Sequence, residues 1–107
     1  MSRDRDIRTA ELIWEGITIE VRFEADWLGM GSRNPEFGHA HLELRSLAPE
    51  RAELPVTETG YRSHFVARGV VEAAGGPLAF AEAWLKEAAK DPAWHKRQEA
   101  ARQLSLF

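Results

Sequence analysis

The stretch Ile17-Thr18-Ile19-Glu20-Val21-Arg22-Phe23-Glu24 decides the fold of this chain of 107 residues. Apolar and polar side chains alternate along it, and several of the apolar ones are β-branched. A period of two with β-branched residues is typical of a half-buried β-strand. Just before it, residues 12–14 (Leu-Ile-Trp) predict a shorter strand, and Glu15-Gly16 predicts the tight turn between the two strands.

Two later segments show the same alternation. The third predicted strand would carry Ala40, Leu42 and Leu44 on one face and His39, His41, Glu43 and Arg45 on the other. A fourth strand over about residues 59–66 would carry Tyr61, Ser63 and Phe65 on one face and Arg62, His64 and Val66 on the other. Segments 28–38 and 47–55, rich in glycine or proline, predict loops around the third strand.

The pattern then changes from strand to helix. Residues 70–74 predict one helical turn that Gly75-Gly76 ends. Pro77 predicts the start of a helix to about residue 89, and Asp91-Pro92 predicts a cap and start for another to about residue 102. We therefore expect an α+β domain, a four-stranded and mainly antiparallel sheet followed by two C-terminal helices packed on one face. The face under the helices would consist of Ile17, Ile19, Val21, Phe23, Leu42, Leu44, Tyr61 and Phe65.

Composition narrows the functional classes. The net charge is −3, so binding of nucleic acid through a general basic surplus is not expected. The chain has no cysteine, which excludes disulfides and thiolate chemistry. No apolar run approaches the roughly 20 residues of a membrane span, and residues 1–8 lack the apolar core of a signal peptide. These features together favour a cytoplasmic protein without membrane contact.

The last five residues form the most specific motif of the chain. They read Gln103-Leu104-Ser105-Leu106-Phe107. This pentapeptide resembles the motif through which bacterial proteins bind the replication sliding clamp, the beta subunit of DNA polymerase III. That motif is usually written Gln-Leu-(Ser or Asp)-Leu-Phe, and every position matches.

The polar composition of residues 1–9 predicts a flexible N-terminus, and the length of the chain predicts that residues 10–102 form a single domain. The resemblance implies that residues 103–107 are a docking peptide and gives each of them a role. Leu106 and Phe107 would fill a hydrophobic subsite of the clamp, Leu104 would pack in the groove, Gln103 would make polar contacts, and Ser105 would be a spacer. Arg102 and Trp94 are possible contacts at the rim. The implied function is a small, non-catalytic adaptor or modulator near DNA replication.

Two other functions stay open from the sequence. His39, His41 and His64, with Glu43 beside them, would bind a metal or perform hydrolysis if the three imidazoles shared one sheet face, with the C-terminal peptide packed on the core. The competing interpretation of these histidines is a solvated polar sheet face, with no metal and no cofactor. The third possibility is a general protein-interaction module with another partner. Segment 57–65 loosely resembles small uncharacterised bacterial proteins of plasmid or phage type, a resemblance that implies no activity. A plasmid- or phage-type accessory factor fits the size of the chain, and that hypothesis rests on the last five residues.

Overall fold

The computed structural model describes residues 7–25 and 39–104, which form an antiparallel sheet followed by helices. The strands are β1 (Ile7–Trp14), β2 (Ile17–Glu24), β3 (His39–Ala48) and β4 (Tyr61–Ala67), and the helices are α1 (Arg68–Ala74), α2 (Pro77–Ala88) and α3 (Pro92–Leu104). The strands lie side by side in sequence order. This arrangement confirms the predicted α+β class.

The β1–β2 hairpin turns at Glu15 and Gly16, as predicted. Both residues have positive φ, 47° and 82°, as in the type I′ turns that match the twist of two-residue hairpins. β1 is longer than the sequence indicated, because it begins at Ile7 and pairs there with Glu24. Residues 7–9 therefore belong to the sheet and not to a flexible N-terminus.

The core lies between one face of the sheet and the helices. We call this the inner face. The sheet contributes buried Trp14, Ile19, Val21, Phe23, Ala40, Leu42 and Leu44, and the helices contribute buried Val71, Ala81, Leu85 and Trp94. Six of these strand residues follow the predicted alternation of β2 and β3, so the period-two pattern identified the central strands correctly.

The prediction for β4 was wrong about which side faces the core. Tyr61 pairs with Arg45 and Phe65 pairs with His41, which places both aromatic rings on the other side of the sheet, the outer face. Phe65 is 53% exposed and Tyr61 is 39% exposed. The side of β4 that faces the helices carries Arg62, His64 and Val66. The aromatic rings that cover this part of the inner face belong to α2; they are those of Phe80 and Trp84.

The helix ends follow the local sequence signals. Gly75 ends α1 with φ of 105°, and the N–H of Gly76 donates to the carbonyl of Val71 at 3.0 Å, as in a Schellman motif. Asp91 caps α3 by accepting a hydrogen bond from the N–H of Ala93 at 3.0 Å. The helix continues to Leu104, two residues beyond the predicted end.

The segment between β3 and β4 packs against the domain. Leu54 is fully buried and forms an isolated bridge with Thr57. The N–H of Ser46 donates to the carbonyl of Gly60 at 2.8 Å, which aligns the start of β4 with β3. The hydroxyls of Thr57 and Thr59 donate to the carbonyl of Tyr61 at 2.8 and 3.2 Å. The segment thus fixes the register of β4 against β3 and supplies hydrogen bonds to the carbonyl of the first residue of β4.

Candidate functional site

The predicted docking peptide begins inside α3. Gln103 is helical and exposed, and Leu104 is the last residue of the helix. Ser105, Leu106 and Phe107 lie outside the described residues. The backbone of the first two motif residues is therefore helical, whereas the predicted helix ended at about residue 102.

Aromatic packing fixes the direction in which α3 leaves the domain. Trp94 is 3% exposed, and its ring centre lies 6.0 Å from that of Trp14 at the end of β1. The guanidinium of Arg97 lies over the Trp94 ring at 5.7 Å, and its Nε binds the carboxylate of Glu53. Trp94, considered above as a rim contact, is therefore a core residue, and a partner would reach little of its ring.

A cleft of about 540 Å³ lies beside α3, and we call it the α3 cleft. It is lined by Glu15, Ile17, Glu53, Trp94, Arg97, Gln98, Ala101 and Arg102. Residues 94, 98 and 101 recur at the spacing of one helix face, so this side of α3 faces the β1–β2 hairpin and the segment before β4. Arg102, the other predicted rim residue, is exposed at this cleft.

The structure separates the histidines that the sequence grouped. His41 pairs with Phe65, whereas His64 pairs with Leu42, so the two imidazoles lie on opposite faces of the sheet. The expectation that His64 joins His39 and His41 was wrong. The sequence predicted Tyr61 and Phe65 on the core side of β4, but His64 lies on that side. Among the described residues, no group of three or more His, Cys, Asp or Glu side chains is placed to hold a metal ion.

The outer face carries a chain of polar contacts centred on Glu43. One carboxylate oxygen accepts a hydrogen bond from the Tyr61 hydroxyl at 2.7 Å, and the other binds Arg22 at 3.1 Å. Burial acts to raise the pKa of Glu43, but the hydrogen bonds from Tyr61 and Arg22 outweigh it, so the pKa lies below its usual value. The bond to Glu43 raises the pKa of Tyr61. Arg45 places its guanidinium 5.2 Å from the centre of the Tyr61 ring.

A second contact on the outer face joins His41, Ser63 and Phe65. The Nε2 of His41 lies 2.6 Å from the Ser63 hydroxyl, and its ring stacks on Phe65 with centres 4.6 Å apart. The sequence predicted that the neighbours Ser63 and His64 lie on opposite faces of the fourth strand, and the register of β4 against β3 confirms it. The sequence did not reveal the His41–Ser63 pair, because that contact depends on the register between β3 and β4.

His64 occupies a different environment, under α2. Its ring centre lies 4.6 Å from that of Trp84 and 6.2 Å from that of Phe80. Arg62 also lies over Trp84, at 5.7 Å. Burial first, and the positive charge of Arg62 second, lower the pKa of His64 below its usual value. These contacts make His64 a packing residue of the inner face.

These features define a small α+β domain with one sheet face covered by helices and the other exposed. None of the helices in the described part of the chain is long and apolar enough to cross a membrane.

Comparison with known proteins then gives the family. The chain belongs to the KlcB third domain family, whose model matches residues 7–94. No curated protein and no solved structure matches the chain. The matched residues include the whole sheet, α1, α2 and the start of α3, and they end before the pentapeptide. The family match therefore covers the folded body and does not include residues 103–107.

Proposed function

We propose that this protein is a small, non-catalytic adaptor that binds the bacterial replication sliding clamp through residues 103–107. The observation that carries the proposal is the complete match of Gln103-Leu104-Ser105-Leu106-Phe107 to the clamp-binding motif. Family membership supports an accessory role of plasmid type for the body. The adaptor would work in the cytoplasm and would reach DNA through its protein partner, since its charge of −3 does not favour phosphate binding.

Apolar burial would supply most of the affinity. Full burial of a leucine or phenylalanine side chain contributes about 1.5–3 kcal/mol. Leu106 and Phe107 together would therefore contribute about 3–6 kcal/mol before the cost of ordering the peptide. Gln103 supports the proposal because its exposed position at the end of α3 lets a partner approach it.

Docking would unwind the last part of α3. An extended peptide from residue 103 onward requires Gln103 and Leu104 to leave the helix. Each backbone hydrogen bond contributes about 0.5–1.5 kcal/mol net, and helix ends are the least costly part to open. The cost of releasing two residues is therefore smaller than the gain from burying Leu106 and Phe107.

Calorimetric titration of a purified bacterial clamp tests this function. The full chain should bind, and the double variant Leu106→Ala/Phe107→Ala should give no measurable heat. Ser105→Asp is the matched control, because the motif accepts either residue at this position, and it should bind like the original chain. Equal heats for the original chain and the double variant, or no heat for either, would contradict the proposal.

The contact between His41 and Ser63 favours a second candidate, a hydrolytic activity on the outer face. A serine hydroxyl within 2.6 Å of an imidazole nitrogen is the minimum pairing of a nucleophile and a base. The test is covalent labelling by a fluorophosphonate, measured by intact mass. Labelling that disappears in both Ser63→Ala and His41→Gln would support a hydrolase, and an unlabelled chain would contradict it.

A further inference from the structure

We propose that β1 pairs with β1 of a second copy of this chain, antiparallel and centred on Ala10. The two sheets then join into one sheet of eight strands, four from each copy. The partner is a second copy because β1 complements its own sequence in one register. The proposal does not depend on residues 103–107 and is therefore independent of the proposed function.

β1 is an edge strand, and among the described strands it pairs with β2 alone. The two-residue turn is closed by the pair of Trp14 and Ile17, which is a hydrogen-bonded pair in hairpins of this type. The bonds from β1 to β2 therefore fall on Trp14 and on every second residue before it. The backbone groups of the alternate residues point away from β2. We call these residues the outward set; they are Ile7, Thr9, Glu11 and Ile13.

The structure leaves this edge open to a further strand. Within the described ranges, no backbone hydrogen bond besides the β1–β2 pairing involves the outward set. β1 contains no proline or glycine, and its pairing with β2 runs without a bulge from Ile7 to Trp14. Proline and bulges are among the usual devices against strand addition. At the other edge of the sheet, the Tyr61 carbonyl already accepts the hydroxyls of Thr57 and Thr59. β1 is therefore the more open edge.

Backbone geometry limits the register of such a pairing. The outward set of one copy must face the outward set of the other, because only these residues have backbone groups directed at the partner. A two-fold axis then passes through one residue of β1. Within β1, an axis at Ala10 pairs residues 7–13 of both copies and an axis at Glu11 pairs residues 8–14, whereas any other axis pairs fewer residues.

The side chains select the axis at Ala10. An axis at Glu11 would place this carboxylate opposite its own copy, and like charges directly opposite each other are destabilising. The axis at Ala10 instead places Thr9 opposite Glu11 of the second copy, so that the hydroxyl can donate to the carboxylate. It also places Ile7 opposite Ile13 of the second copy. Ile13 is 73% exposed on the outer face, so this contact covers an apolar side chain that one copy leaves in water.

The charges of β1 fit this register as well. Within one copy, Glu11 lies opposite Glu20 of β2, and none of the ion pairs between described residues includes Glu11. The hydroxyl of the second copy therefore gives this carboxylate a polar partner. On the inner side, Arg8 faces Leu12 of the second copy, and the methylene stem of an arginine can cover a leucine. No like-charge pair forms across the interface, and the outward sets make about eight backbone hydrogen bonds.

Single cysteines test the register directly, because the chain has no cysteine of its own. Ala10→Cys places two thiols opposite each other at the axis, in a pair without backbone bonds whose Cα atoms lie about 4.5 Å apart. This separation permits a disulfide. Under mild oxidation, Ala10→Cys should form a linked dimer on a non-reducing gel faster than the matched controls Thr9→Cys and Glu11→Cys. Equal or faster linking of either control would overturn the axis at Ala10.

Sedimentation equilibrium at low salt tests the same interface without a cross-link. The original chain should dimerise, and Thr9→Glu should weaken the dimer by about two- to thirty-fold, because two like-charge pairs then form with Glu11. The double variant Thr9→Glu/Glu11→Lys should restore the dimer, since each introduced carboxylate faces an introduced ammonium. Thr18→Glu is the matched control: it has the same net charge as Thr9→Glu, but it lies on β2, and it should dimerise like the original chain.

Two results would overturn the proposal. One is a chain that sediments as a monomer at every concentration and in which Ala10→Cys links no faster than its controls. The other is a dimer that Thr9→Glu and Thr18→Glu weaken equally, which would place the interface elsewhere. Far-UV circular dichroism identifies any charge variant that does not fold, and the cysteine variants then decide. All these variants leave residues 103–107 unchanged, so the clamp titration is decided separately.

Discussion

Substitution of Gly60 by alanine should destabilise this domain much more than the same change at Gly16. Both glycines have left-handed φ, 79° and 82°. A Cβ at Gly16 would meet nothing within 4 Å, whereas a Cβ at Gly60 would lie 2.7 Å from the Cα and carbonyl carbon of Arg51. The two variants therefore share the backbone strain and differ in the contact with Arg51.

The geometry sets the size of the difference. The left-handed conformation costs alanine about 1–2 kcal/mol, and the reduced entropy of the unfolded chain offsets about 0.4–1 kcal/mol. Gly16→Ala should thus lose about 0–1.6 kcal/mol. Ordinary contacts begin at 3.4 Å, so at Gly60 one backbone must retreat by about 0.7 Å. Such overpacking adds about 1–3 kcal/mol and weakens the bond from Ser46 to the Gly60 carbonyl.

Urea denaturation followed by tryptophan fluorescence measures both free energies of unfolding. Gly60→Ala should be less stable than Gly16→Ala by about 1–3 kcal/mol. The slope of the unfolding free energy against urea concentration, the m value, should be similar in both variants. Similar m values would show that both variants undergo the same cooperative transition. Equal stabilities would refute the close approach of Gly60 to the Arg51 backbone within the segment between β3 and β4.

Three further predictions follow from buried or hydrogen-bonded side chains. Leu54→Ala should reduce the free energy of unfolding by about 2–5 kcal/mol in the same urea assay, since Leu54 is fully buried. The pKa of His64 is lower in the folded than in the unfolded chain, so its neutral form stabilises the fold above the unfolded pKa. Stability should decrease as the pH falls through the folded pKa, and His64→Phe should reduce this dependence. Tyr61→Phe should raise the pKa of Glu43 in an NMR titration, because it removes the hydrogen bond from the hydroxyl.

The sequence predicted those elements whose signals are local. The alternation of β2, the turn at Glu15-Gly16 and the cap at Asp91 depend on neighbouring residues, and the structure confirms them. The orientation of β4 could not be predicted in this way. Tyr61 and Phe65 satisfy the rule that aromatic residues are buried, but β4 lies at the border of the sheet, and its register against β3 turns them outward.

Prediction of the candidate site depended even more than prediction of the fold on how the strands pair. The bond between His41 and Ser63 and the separation of His41 from His64 both follow from register, which the pattern of one strand does not contain. Leu54 was missed because it stands between prolines in a segment that has loop composition. The resemblance of residues 103–107 to a docking motif needed no information on strand pairing, since that motif consists of consecutive residues.

The hydroxyls of Thr57 and Thr59 have a consequence for how this protein behaves at high concentration. The end strand of a sheet normally presents free carbonyl and N–H groups that can recruit a strand from another molecule and start aggregation. Here the Tyr61 carbonyl, at the first residue of β4, already accepts both hydroxyls. A strand from a second molecule would have to displace them before it could pair at this end. The two threonines therefore occupy the first carbonyl that such a strand would use, next to the exposed Tyr61 ring.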